Sequence, residues 1–293
     1  MATHHRPANQ RTMVLPEEVT NAINNGQVQE VKDWLDAATP DAVNDVDAKG
    51  YGILHLCCLT DTGLGRTIDP ARCEIARYAI SRGCDVNRAE GVVRSTPLHL
   101  AMARSYLGSA HNMISILINA GADVNARTTN SDRTPIAWAI GALIQRLEHS
   151  HRRYCRDVDF ADPLIWLLRA GASINAVTRS LGWPQVYLSA EEYMLHREKP
   201  VRFYEGIEPF LDNEHWAGCK QLLADVRAAG SWRKYVIVPM KEVLRLRSLV
   251  ARGRARARLR TRSRTPRPLA WIMSPDVPKE IAWRVLDYWN PRY

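Results

Sequence analysis

The chain has 293 residues, 46% of them hydrophobic and 24% charged, with a formal net charge of +9. This balance suits one or two folded units with a sizeable core and excludes a disordered chain. No stretch approaches the ~18 consecutive apolar residues of a membrane-spanning helix.

The first thirteen residues, MATHHRPANQRTM, have no apolar run after their basic positions, so neither a signal peptide nor an anchor is expected. Residues 1–13 read as a flexible N-terminus. Six cysteines, at 57, 58, 73, 84, 155 and 219, form no even framework and include an adjacent pair. They are expected to stay reduced, which points to an intracellular protein of the cytoplasm or the nucleus.

From Tyr51 onward the chain repeats itself. YGILHLC (Tyr51 to Cys57) is followed by RGCDVN (Arg82 to Asn87) and STPLHLA (Ser95 to Ala101). AGADVN (Ala120 to Asn125), RTPIAWA (Arg133 to Ala139) and AGASIN (Ala170 to Asn175) then reuse the same two phrases. Thr96 is a good N-cap, and Pro97 at the first helical position gives up only an N–H that would be orphaned there. Leu98, Ala101 and Met102 then share one helical face. Gly83, Gly121 and Gly171 stand where a helix ends in the left-handed region.

These phrases resemble the ankyrin repeat, whose unit is a turn, a helix opening at Thr-Pro-Leu-His, a second helix and Gly-Ala-Asp-Val-Asn. The resemblance runs from about Pro16 to Asn175. Its first unit keeps two short helices, TNAINNGQVQEVKDWL (Thr20 to Leu35), hinged at Asn25-Gly26 and closed by Ala42 to Asn44. The resemblance implies an all-α solenoid of helix-turn-helix repeats, about four over residues 14–178, with an atypical capping repeat at the start. It also implies that His99 bonds the threonine hydroxyl and nearby backbone, tying turn to helix. His55 holds the same place one repeat earlier and Ala137 one repeat later, which argues for scaffold and against catalysis.

The spacing departs from the nominal ~33 residues: Thr96 to Thr134 is 38 and Gly121 to Gly171 is 50. The surplus falls between the two helices of a repeat, so Thr60 to Pro70 and Glu148 to Pro163 are expected to be insertions or helix extensions. Residues 179–251 read as a degenerate repeat and a helical cap. Ser180 to Gln185 is a worn turn and Ser189 to His196 a worn first helix. Trp216, Cys219, Leu223 and Val226 make one apolar stripe; Met240, Val243, Leu246 and Val250 make another.

Residues 252–270 are an arginine-rich linker, with Arg252, Arg254, Arg256, Arg258, Arg260, Arg262, Arg264 and Arg267 and no acid between them. Removing these eight leaves the rest of the chain at about +1. The run suits a solvated linker, a nuclear-import address or contact with phosphates or nucleic acid. Trp271 alone is near enough to stack on bases, so specific nucleic-acid recognition is not expected. Ser263 and Thr265 are candidate phosphate acceptors.

Residues 271–293 close the chain with an amphipathic helix. VPKEIAWRVLDYW (Val277 to Trp289) resembles the first helix of an F-box, which implies a ubiquitin-ligase component contacted by Pro278, Glu280, Ile281, Val285, Leu286 and Trp289. RSLVARGRA, before it, is weakly similar to a SOCS box but has Gly253 where that motif has cysteine. Docking of this helix on the cap is the alternative.

Enzyme signatures are incomplete. Asp61-Thr62-Gly63 has no second copy to form a carboxylate pair. Gly63-Leu64-Gly65 lacks the context of a dinucleotide loop. His149, His151 and Cys155 have zinc-ligand chemistry without a fourth ligand. No cofactor, metal or catalytic site is expected. The expected function is a non-catalytic scaffold or adaptor that binds another protein, with an acidic surface, through the concave face and turn tips. The tip candidates are Tyr51, Arg88, Glu90, Arg94, Arg127, Asn130, Asp132, Arg133 and Arg179. Five arginines against two acids set the sign of the partner.

Overall fold

The structure is a computed structural model and describes residues 14–39, 41–59, 70–105, 110–129, 131–148, 161–179, 186–197 and 214–237, with positions 245 and 248. Its elements are helices, apart from one short 3-10 turn and a pair of two-residue strands. The chain divides into two units, Met1–Lys220 and Gln221–Tyr293.

In the first unit the helices come in pairs. α1 (Glu17–Asn24) packs on α2 (Val28–Ala37), α3 (Ile53–Cys58) on α4 (Pro70–Ser81), α5 (Pro97–Ala103) on α6 (Ala110–Asn119), and α7 (Pro135–Glu148) on α8 (Ala161–Arg169). The first helices form one row, α1 to α3 to α5 to α7 and on to α9 (Ala190–Arg197), and the second helices form another, α2 to α4 to α6 to α8. This is the all-α stack of helix pairs expected from the repeated phrases. The surplus in the α7 repeat is partly a longer helix, fourteen residues against seven in α5. Residues 60–69 and 149–160 lie outside the described residues.

Short helices survive here because nearly every apolar position is covered. All six residues of α3 are buried, as are Leu98, Ala101 and Met102 of α5 and Met113, Ile114 and Leu117 of α6. Complete burial of such a side chain contributes about 1.5–3 kcal/mol, which outweighs the poor intrinsic stability of a helix of two turns. Cys57 and Cys58 fill the places of Ala101 and Met102. With Cys73, Cys84 and Cys219 they are buried, and burial pushes the Cys84 thiol up to about 12.

Gly26, Gly83, Gly121 and Gly171 all have φ between 70° and 94°. Each closes its helix with paired bonds, such as Gly121 N–H to the Ile118 carbonyl and Ala122 N–H to Leu117, both 3.0 Å.

At the helix starts, His99 Nδ1 accepts from the Thr96 N–H (3.1 Å) and lies 2.9 Å from the Thr96 hydroxyl, while Nε2 donates to the Arg133 carbonyl of the next repeat (3.1 Å). His55 does the same with the Gly52 N–H (3.2 Å) and the Ser95 carbonyl (3.1 Å). Because Nδ1 faces N–H or O–H donors and Nε2 faces a carbonyl, the bonds fix the neutral Nε2–H tautomer. In α9 the histidine's position belongs to Glu192, whose Oε2 accepts from the Ser189 N–H (2.8 Å) and hydroxyl (2.7 Å).

A second chain of bonds uses the asparagines. Asn87 donates to the Gly121 carbonyl (3.2 Å) and accepts from the Asp123 N–H (2.6 Å). Asn44 serves Gly83 and Asp85 alike, and Asn125 serves Gly171 and Ser173. Arg72 of α4 is buried, and its guanidinium donates to the carbonyls of Leu56 (3.2 Å), Leu59 and Asn24 (2.8 Å). It caps the C-terminal ends of α3 and α1 together.

After α8, β1 (Thr178–Arg179) pairs antiparallel with β2 (Tyr187–Leu188). α10 (Glu214–Ala229) buries Trp216, Cys219, Leu223 and Val226 and ends at Gly230, φ 82°. In the second unit a helical segment over 232–237 starts where Ser231 Oγ accepts the Lys234 N–H, 3.2 Å. The stripe of Met240, Val243, Leu246 and Val250 lies outside the described residues.

Removing Arg72 with alanine leaves one buried and two part-buried carbonyls without their donor, so urea unfolding should show a loss of about 2–3 kcal/mol, only partly recovered by Arg72→Lys. Burial pushes the His99 imidazole down to about 4 and lowers His55 as well. The unfolded chain takes up these protons near ~6.5, so stability is complete above that pH and falls as pH drops toward 4. For His99 the loss should reach about 3 kcal/mol, and thermal melts of His99→Ala across this range should show a flatter profile. Arg94 has φ 57° and Asp132 φ 50°, in the place where the preceding repeat has Gly50 at φ 84°. Arg94→Gly should therefore stabilise the fold by about 0.5–1 kcal/mol in urea titration, and Asp132→Gly by less, since aspartate tolerates this region better.

Candidate functional site

Each turn between a closing asparagine and the next helix is held by one polar side chain at its base. Asp47 Oδ1 accepts the N–H groups of Lys49 and Tyr51, both 2.8 Å. Thr128 Oγ1 accepts the Arg133 N–H, 3.2 Å. Between them, Glu90 accepts the N–H groups of Val92 (2.8 Å), Val93 (2.7 Å) and Ser95 (3.3 Å) and the Ser95 hydroxyl (3.3 Å). Burial alone would raise the Glu90 carboxyl, but these donors hold it below its ordinary value.

Glu90, expected at a tip, therefore lies beneath one, 4% exposed. Its charge is consumed by its own turn.

The tips are stitched to each other by backbone. A Cβ on Gly50 would stand 3.1 Å from the Gly91 nitrogen, so the first two turns touch main chain to main chain. Thr129 N–H donates to the Val93 carbonyl and Arg179 N–H to the Ser131 carbonyl, each 2.8 Å. Arg179 is in turn paired with Tyr187 across the two short strands. The described parts of the turns are thus linked in series from Asp47 to Tyr187.

The expected tip residues divide by environment. Arg94 and Arg127 are exposed. Among the described residues Arg94 has no hydrogen bond or ion pair, and Arg127 donates only to the Val177 carbonyl, 3.3 Å. Arg133 turns inward: its guanidinium lies 5.8 Å from the Tyr193 ring centre and donates to the Tyr193 hydroxyl at 3.3 Å. Arg88 lies along Gly52, where its Cδ would be 3.6 Å from an added Cβ. Burial raises the Asp45 carboxyl even though the Arg88 charge pulls it down. Tyr51 is half-buried, its ring 6.0 Å from that of His55, and Asp132 is half-exposed.

Two tip residues were missed in the sequence. Val92 is 77% exposed and Tyr187 59%. The available signal was an apolar pair, Val92-Val93, inside a turn whose neighbours are glycine and arginine.

Other candidates lie outside the described residues: Asn130, the triplet His149, His151 and Cys155, the motif Asp61 to Gly65, the arginine run and the F-box-like helix from Pro278 to Trp289. Among the described residues no cluster of histidine, cysteine, aspartate and glutamate is arranged to hold a metal. No helix among them is long and apolar enough to cross a membrane.

No curated protein matches the sequence. Residues 94–129 match the family model of the ankyrin repeat, a span that begins at the exposed arginine of one tip, takes in α5 and α6, and ends at the threonine that stitches the next. The chain carries an ankyrin repeat at 94–129, set within a stack of similar helix pairs.

Proposed function

We propose that the chain is a non-catalytic protein-binding module whose contact surface is the ribbon of turn tips, with Arg94, Arg127, Val92 and Tyr187 as its centre. The observation that carries this reading is the combination of order and exposure. The turns are fixed by their own base residues and by one another, yet they present apolar and cationic side chains to solvent. A surface held rigid before contact loses little conformational entropy on binding. Val92 and Tyr187 offer exposed apolar surface beside arginines, a mixture suited to contact with a partner. The left-handed backbone at Arg94 is consistent with this, since glycine would suit that position better.

A site-specific photocrosslinker tests the surface without altering its charge. Placed at Val92 or Tyr187 in the full chain in cells, it should give discrete adducts with another protein. The same group at Asp33, on the exposed face of α2, should give none. Equal labelling from α2, or no adduct from the tips, overturns the reading.

A further inference from the structure

Resting on the tip surface proposed above, we propose that its partner is an extended acidic segment with apolar residues interleaved among the acids.

The charge comes first. Arg94 and Arg127 are exposed, and neither is paired with an acid among the described residues. The acid nearest to Arg94 along its turn, Glu90, is buried and already accepts four donors. It cannot neutralise a cation at the tip without releasing its turn. Against the half-exposed Asp132, the exposed Arg94 and Arg127 leave the surface positive, and an acidic partner gains both attraction and discrimination against basic ones.

The apolar requirement comes from the same ribbon. Val92 stands two residues from Arg94, and its carbonyl lies 3.3 Å from the Thr129 hydroxyl. Tyr187 is paired with Arg179 at the other end, and Val177, 38% exposed, offers its carbonyl to Arg127. Apolar and cationic groups thus alternate along the ribbon. A purely acidic chain would answer the arginines and leave Val92 and Tyr187 in water.

An extended segment spans the tips with the fewest residues. Packed helices lie about 8–10 Å apart, so successive tips are separated by roughly three residues of an extended strand. Three successive tips match a segment of about seven residues. A helical partner, at 1.5 Å per residue, would need more than twice that length to present one face.

The test is fluorescence anisotropy with the full chain and a labelled peptide of about eight residues in which glutamate pairs alternate with leucine pairs, so that each face of the extended segment carries both. Controls replace glutamate by glutamine, or leucine by serine. Every protein in the series carries the eight arginines of the 252–267 run replaced by glutamine, so that parallel binding of an acidic peptide to the run does not mask the change at the tips. Arg94→Gly with Arg127→Gln should weaken glutamate–leucine binding about tenfold at low salt, while Arg94→Gly alone leaves the fold at least as stable, which separates lost binding from lost folding. Val92→Ser with Tyr187→Ser should weaken it by a similar factor. The proposal is overturned if the arginine variant binds as tightly as the chain with unaltered tips, or if the glutamate–serine peptide matches the glutamate–leucine one. Persisting photoadducts at Val92 alongside either result would leave the tip surface standing and remove only this class of partner.

Discussion

Every repeat in this chain leaves polar groups at its edges that only the next repeat can satisfy. His99 has its Nε2 proton taken by Arg133, in the following turn, and Asn87 and Asn125 each embrace the helix end of the pair that follows. A buried group left without its partner costs roughly as much as a deleted methylene or two. Stacking in register is therefore enforced by hydrogen bonding as much as by apolar burial. The apolar interior alone would tolerate sliding; the histidines and asparagines do not.

This constraint also explains the condition of the turns. With the starts of α3 and α5 tied forward by His55 and His99, and Asn44, Asn87 and Asn125 tied to the helix ends that follow them, the segments between have little freedom left. Asp47, Glu90 and Thr128 then close them from within, and backbone contacts between neighbouring tips remove the rest. The contact surface proposed here is not a set of independent loops. It is the margin of the scaffold itself.

The helix pairs were legible because their punctuation is local. Proline at the start and glycine at the end sit within one helix, and the phrase recurs often enough to be seen. What was not legible depends on partners far along the chain. Arg72 looks like one more charged residue on α4, and its burial follows only from carbonyls thirteen to forty-eight positions away. Arg133 could not be assigned to Tyr193, sixty residues on. Glu90 was misplaced for a related reason. Aspartate, glutamate and threonine perform one task in three successive turns, so no repeated letter marked it. Ala137 ended the visible series of histidines, yet Glu192 resumes the same capping role with different chemistry.

Five thiols, at positions 57, 58, 73, 84 and 219, are sealed inside the helical layers, with Cys84 held far from its reactive ionised form. A thiolate is the species that alkylating reagents and oxidants attack. Four of these sulfurs belong to a single pair, α3 with α4 and the turn that ends it. That pair therefore carries its own clock: the rate at which these sulfurs become labelled reports how often this one module is exposed, whether it opens alone or with the stack.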